Sequence, residues 1–245
     1  MISLKEHIYT IPINEAFDTN CECPVCYFMN MEETKKIEYT LGASMMEPDE
    51  RLAYNKTGFC RNHTRMMYDY GNRLSHALIL ETRTQYLTEC IDKYVEKLLK
   101  CKKSSFFKSK SDDFNFPEGE TLAETSESCI ICNRLDKIER DFISNILHLC
   151  KKEPAFKEKF DNSKGFCIKH FKKLIDEAIS SYKFEDCKEF LIKLSQLEKD
   201  NLQRLNEEVN WFTKKFDYRY KDEDWKNSKD SVQRACLKTA GHITE

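Results

Sequence analysis

The chain has 245 residues, enough for one large domain or two smaller ones, and its 33% charged and 40% hydrophobic residues are ordinary for a soluble, strongly helical protein. Only 6 glycines and 5 prolines interrupt it, too few for a many-turned all-β fold, and a formal net charge of −2 supplies no global basic field for nucleic acid or an anionic membrane. Lys5 and Glu6 break the N-terminal segment where a secretory signal would need an apolar core, and no apolar run approaches the roughly 20 residues of a membrane helix. The expected location is therefore the cytoplasm, where twelve cysteines point to metal and buried thiols rather than disulfides.

Residues 1–20 read as a lead-in whose Ile8, Ile11 and Ile13 can pack onto the first repeat. A helix is predicted to begin near Cys23-Pro-Val-Cys26, with Tyr27, Met31, Ile37, Leu41 and Met45 on one face, and to stop at Pro48. Gly58-Phe-Cys60-Arg-Asn-His63 opens the next helix, with a cysteine and a histidine one turn apart on the same face. A long amphipathic stretch runs from Leu74 to Leu99, apolar at Leu78, Leu87, Ile91, Val95 and Leu98. Lys100 to Lys110 is basic and Ser111 to Ser128 is acidic, which describes an exposed linker.

The second half repeats the first. Cys129-Ile-Ile-Cys132 leads a helix with Leu135, Ile138, Phe142, Ile146 and Leu149 at three- and four-residue steps, and Gly165-Phe-Cys167-Ile-Lys-His170 opens another. Cys26 stands as far from Pro48 as Cys132 stands from Pro154, each proline follows a glutamate, Ile37 aligns with Ile143, and Leu41 aligns with Leu147. Shared order and spacing over about 40 residues is the period of a supersecondary repeat. Phe184 to Phe216 is a second long amphipathic stretch, with Leu191, Leu194, Leu202, Leu205, Val209 and Phe212. The tail, Trp211 to Trp225, interleaves aromatic and basic residues that either cap the end of a bundle or stack bases, and a last helix is predicted over Ser228 to Ala240.

Three cysteines and one histidine fit the closed tetrahedral shell of a structural zinc ion, and the chain holds two such sets. Read along the chain, Cys23, Cys26, Cys60 and His63 would bind one ion, and Cys129, Cys132, Cys167 and His170 the other. An iron-sulfur cluster or reversible thiol chemistry could use the same residues, and four protein ligands leave no open position for a catalytic metal. No phosphate-binding glycine loop, GxSxG or HExxH is present. Cys21 has no counterpart in the second repeat and reads as a spare thiol that could replace a neighbour as ligand, while Cys90, Cys101, Cys150, Cys187 and Cys236, and His7, His76, His148 and His242, share no spacing and read as packing or surface residues.

At these motifs the chain resembles a family of uncharacterised proteins from bacteria, mostly Gram-positive, that carry paired CxxC and GFCxxH patterns and a WFxxKFDYR-like C-terminal segment. The resemblance rests on Ile11-Pro-Ile-Asn-Glu-Ala-Phe17, Met45-Met-Glu-Pro48, both metal motifs and Trp211-Phe-Thr-Lys-Lys-Phe-Asp-Tyr-Arg219, and so covers nearly the whole chain. It implies the metal sites and supplies no substrate.

The expectation is an all-α protein of two zinc-stapled helical repeats, packed as a bundle with long amphipathic helices and binding two structural zinc ions. Its expected divisions are 1–101, a first zinc-binding repeat; 102–128, a charged linker; 129–216, a second repeat; and 217–245, an aromatic and basic segment with a helix. The expected function is a non-catalytic cytoplasmic module, monomer or homodimer, that presents a helical surface to a protein partner and contacts no membrane. Nucleic-acid binding through the tail, or a thiol-based redox or metal sensor, are the alternatives.

Overall fold

The computed structural model describes residues 4–100 and 128–241. Among them are ten α-helices and no strand. In chain order they are α1 (Leu4–Asp18), α2 (Pro24–Leu41), α3 (Pro48–Thr57), α4 (Arg61–Asp69), α5 (Arg73–Lys100), α6 (Ile130–Lys152), α7 (Pro154–Asp161), α8 (Ile168–Ser181), α9 (Phe184–Lys214) and α10 (Ser231–Ala240). Short 3-10 turns occupy Ala43–Met46 and Tyr218–Tyr220. The all-α class holds. The charged linker expected over 102–128 lies, except for Ser128, outside the described residues, as do Cys101, His242 and the lysine run after Lys100.

The chain forms two compact units: Met1–Glu32 with Lys137–Glu245, and Glu33–Asp136. The boundaries fall inside α2 and inside α6.

In the first unit, Phe28 of α2 stacks on Phe142 of α6 with ring centroids 3.9 Å apart. Phe17, Phe156, Phe160, Phe166 and Phe190 extend this core together with Ile146, Leu174 and Leu194. Of the residues expected to form a lead-in on the first repeat, Leu4–Asp18 are helical, and Phe17 of that helix packs on α7, which belongs to the second repeat. Ile13 and Ala16 of α1 are fully buried, whereas Ile11 is 68% exposed, because the inner face of the helix turns Phe17 onto Phe156 and Phe160 of α7. Pro154 sits in the first turn of α7, where its missing N–H leaves no hydrogen bond broken.

In the second unit, Ile37 and Leu41 of α2, Tyr54 of α3, Met67 of α4 and Ile79 of α5 are buried. Pro48 does not end α2, which stops at Leu41; it opens α3 instead. The Tyr54 hydroxyl meets Ser44 Oγ at 2.5 Å, and Asn72 Nδ2 donates to the Leu41 carbonyl at 2.9 Å, which ties the end of α2 to the start of α5. The apolar stripe expected along α5 is buried only in part. The inward face of the helix runs through Ser75, His76, Ile79 and Arg83, while Ile91 is 48% and Val95 45% exposed. Its partner α3 has 10 residues against the 28 of α5, about 15 Å against 42 Å, so it can cover only the first part of that length.

The aromatic tail is folded on itself within the first unit. Trp211 packs edge-on to Tyr220, Phe212 lies against Trp225, and Lys226 Nζ stands 3.9 Å over the Trp211 ring. Lys215, buried at the end of α9, donates to the carbonyls of Tyr220 and Lys221 at 2.7 and 2.9 Å and to that of Glu223. The ammonium group fixes the turn and the rings close over it.

Candidate metal centres

The eight candidate ligands form two clusters, in a different pairing from the one read along the chain. Cys23 and Cys26 stand with Cys167 and His170, and Cys60 and His63 stand with Cys129 and Cys132, the ligand atoms of each set all lying within 4.8 Å of one another. Each CxxC thus meets the CxxH of the other half of the sequence. The first cluster lies wholly in the first unit and the second wholly in the second.

Helix lengths account for the pairing. From Cys26 to its end at Leu41, α2 runs about 22 Å, and α3 returns only about 15 Å before the Gly58 turn. In the other half α6 has 23 residues and α7 only 8, about 34 Å out and 12 Å back. His63 comes back as far as Glu33, seven residues beyond Cys26 on α2, and His170 comes back as far as Glu139, seven residues beyond Cys132 on α6. Both stop two turns short of their own CxxC. A further tie acts at the second cluster, where the Ile130 N–H donates to Gly58 O at 3.0 Å and Ser128 Oγ to Thr57 O at 2.7 Å, holding the start of α6 on the Gly58 turn.

All four ligand pairs occupy helix N-termini. Cys60 and Cys167 are the N-cap residues of α4 and α8, while Cys23 and Cys129 immediately precede the first residues of α2 and α6. Each cluster therefore receives two helix N-termini, whose partial positive charge favours thiolates. Backbone donors add to this: the Cys26 N–H points at Cys23 Sγ at 3.4 Å, and the His63 N–H at Cys60 Sγ at 3.5 Å.

The donor spacing fits one ion per cluster. Metal–sulfur and metal–nitrogen bonds of about 2.3 and 2.05 Å in a tetrahedron place sulfurs about 3.8 Å apart and sulfur and nitrogen about 3.6 Å apart. Here Cys26 and Cys167 Sγ are 3.6 Å apart and Cys60 and Cys132 Sγ 3.8 Å. The histidine Nδ1 atoms lie 3.1 to 3.4 Å from the sulfurs. These separations are far beyond the roughly 2.05 Å of a disulfide, and they are too tight for donors spread around several iron atoms. Either cluster could hold a metal ion.

In both clusters Nδ1 faces the sulfurs and Nε2 faces a carboxylate, Glu33 Oε1 at 2.9 Å from His63 and Glu139 Oε1 at 2.8 Å from His170. Such a partner fixes ring tautomer and orientation and raises the basicity of the ligating nitrogen. Burial opposes an imidazolium at either position, yet the Cys129 sulfur and Glu33 lift His63 to about 10, and the Cys167 and Cys26 sulfurs with Glu139 lift His170 to about 10. Both donor sets attract a cation, and a metal ion has to displace that proton. Burial would also raise Glu139, but His170 and Lys173 outweigh it and hold this carboxyl at about 2.

Glu33 and Glu139 are members of the candidate sites that the motif reading missed. Their signal was present, since each stands seven positions after the second cysteine of its CxxC. Glu139→Gln keeps an oxygen that accepts from Nε2 but removes the charge and the partner of Lys173, which lies at 2.6 Å. The metal affinity of the first cluster should fall about 10- to 100-fold in chelator competition while that of the second stays unchanged.

The glycine turns are clamped by charged side chains. Gly58 and Gly165 have φ of +75° and +73°, conformations costly for any residue with a Cβ. A Cβ at Gly58 would lie 2.7 Å from the Arg83 guanidinium, and one at Gly165 would lie 2.5 Å from Glu198 Oε2. Arg83 also donates to the carbonyls of Asn55 and Lys56. The clamps hold each Phe-Cys step where the cysteine can cap its helix.

No helix among the described residues is long and apolar enough to cross a membrane. No curated protein and no solved structure shows significant similarity to the chain. A family model matches residues 4–245, spanning the sequence that carries both clusters, both glutamates and the folded tail, and the chain belongs to that family, DUF6062, a family of unknown function.

Proposed function

We propose that this protein is a non-catalytic cytoplasmic module in which two structural zinc ions hold together helices from two copies of one duplicated unit, so that a rigid helical surface is offered to a protein partner. The observation that carries the reading is the closed donor set at each cluster: three sulfurs and one Nδ1 at tetrahedral spacing, with a glutamate behind each imidazole. Four protein donors leave no position for substrate or water, so the ion supplies cross-linking and not Lewis-acid chemistry. Three thiolates with one imidazole favour zinc over harder cations.

An apolar groove along α8 and α9, lined by Ile179, Tyr182, Phe184, Leu191 and Ile192, supports the presentation of a surface. Base stacking by the tail is less favoured, because Trp211, Phe212, Tyr220 and Trp225 pack on one another.

Elemental analysis of protein purified without added metal tests the reading. Two zinc ions per chain are expected, falling to one in Cys60→Ser and to one in Cys167→Ser. Iron with labile sulfide, or no metal in the wild-type chain, would overturn it.

A further inference from the structure

The two clusters share a donor set and differ in cover. In the first unit Cys23, Cys26, Cys167 and His170 are all buried, the three cysteines at 3% exposure or less. Phe166 and Val25 beside them are fully buried, and α10 ends over the site at Gly241, where a Cβ would lie 3.9 Å from Cys167 Sγ. The glutamate behind the imidazole is sealed too: Glu139 is 3% exposed and is held by Lys173 at 2.6 Å and Lys169 at 3.6 Å.

In the second unit His63 and Cys129 are buried, whereas Cys60 and Cys132 are both partly open to solvent. Glu33, behind His63, is 18% exposed. The two open sulfurs are also neighbours, 3.8 Å apart, close enough to bond after a small movement.

Resting on the reading of both clusters as zinc centres, we infer that the second cluster is an oxidation site: a peroxide converts Cys60 and Cys132 to a disulfide and releases the ion held there, while the first cluster resists. One thiolate, of Cys60 or Cys132, attacks the peroxide, its S–O bond forming as the O–O bond breaks, to give a sulfenic acid and hydroxide. The other thiolate then attacks that sulfur, forming the S–S bond and expelling a second hydroxide. Two electrons leave the sulfur pair, the peroxide is reduced to two hydroxides that take up two protons to become water, and the ion is left with Cys129 and His63 alone. Two donors do not retain zinc against a chelator.

Reactivity of this kind needs thiolate character together with access. Zinc and the helix N-termini supply thiolate character to both clusters, so access decides between them. The asymmetry follows from the packing around the sites and not from the ligand motif, which is the same in both.

The test uses the full-length, zinc-loaded chain with hydrogen peroxide in the presence of a chromophoric zinc chelator, followed by alkylation and peptide mapping. The starting zinc content checks the underlying reading by itself: two ions uphold it, and fewer overturn it before any oxidant is added. From a two-ion protein, one equivalent of zinc should be released at least about ten times faster than the other, together with a Cys60–Cys132 disulfide, while Cys23, Cys26 and Cys167 stay reduced. Return of the ion after thiol reductant and added zinc should restore the starting state. Release of both ions at one rate, first release from the Cys23 cluster, or mapping of the oxidation elsewhere would overturn the inference and leave the zinc reading standing.

Discussion

Cys167→Ser should open Cys23 and Cys26 to alkylation and leave the labelling of Cys129 and Cys132 at its wild-type level. Cys167 shares its cluster with Cys23 and Cys26, more than 140 positions away in sequence, and shares nothing with the CxxC that precedes it in its own half. Removing one of four donors from a buried site lowers zinc affinity steeply. Structural zinc of this kind supplies apparent folding free energy on the order of 10 kcal/mol, as large as the net stability of a typical domain. The variant should therefore lose one ion and the ordered core around Phe28, Phe142 and Phe166 in the first unit. Cys60→Ser should do the converse, opening Cys129 and Cys132 while Cys23 and Cys26 stay closed. Pulsed iodoacetamide labelling with peptide mapping reads both variants in one experiment. Labelling of Cys129 and Cys132 raised above the wild-type level in Cys167→Ser would mean that each half holds its own ion, and the crossed pairing would be wrong.

The length of chain that an ion at each cluster would close does not decide which would be the stronger staple. Cys26 and Cys167 are 141 residues apart and Cys60 and Cys132 are 72. Doubling a loop costs only about 0.6 kcal/mol in closure entropy, small beside the binding energy of a structural zinc ion. Burial and the sealed glutamate set the first site apart, and both are packing effects.

Spacing made all eight cysteine and histidine candidates legible, because ligand pairs at short, fixed separations repeat in order. Their partners were not legible as written, since four-residue motifs carry no information about which pair meets which. Helix length does carry it. Once α2 is known to run 18 residues while α3 returns only 10, His63 cannot get back to Cys23, and the glutamate at seven residues past each CxxC marks where it stops. The stripe on α6 was legible because the helix is covered along its length: Leu135, Phe142, Ile146 and Leu149 are buried and Ile138 packs against the core. The stripe on α5 was not, because periodicity shows an apolar face without showing how far a partner extends along it. The tail's aromatic and basic mixture was ambiguous for a similar reason: Lys215 is buried by the carbonyls of a turn five to eight residues ahead, a contact that composition does not encode.

Least legible of all was Lys238, a lysine with 0% exposure in an otherwise ordinary amphipathic helix. Its ammonium donates to the carbonyls of Lys164 and Phe166 at 2.6 and 3.0 Å and to Glu198 Oε1 at 3.1 Å, which uses all three of its hydrogens. Glu198, itself buried, accepts the Phe166 N–H on its other oxygen at 2.8 Å. The pair closes around the Gly165 turn and fixes the backbone that delivers Cys167 to its cluster. Lys238→Met keeps most of the side-chain volume and leaves a buried carboxylate, the buried Phe166 carbonyl and the half-buried Lys164 carbonyl without their donor. Breaking one side of a buried ion pair costs about 3–5 kcal/mol, and a loss of that size should appear as a lowered urea midpoint with an unchanged slope. Pairing it with Glu198→Gln removes the stranded charge while keeping an oxygen for the Phe166 N–H, so the double variant should recover a substantial part of the loss. A single variant as stable as wild type, or a double variant less stable than the single, would show that the lysine does not hold the turn. Because the damage is done at the Gly165 turn, Lys238→Met should also weaken zinc retention at the Cys23 cluster and leave the Cys60 cluster unchanged, a selectivity that general destabilisation of the chain would not produce.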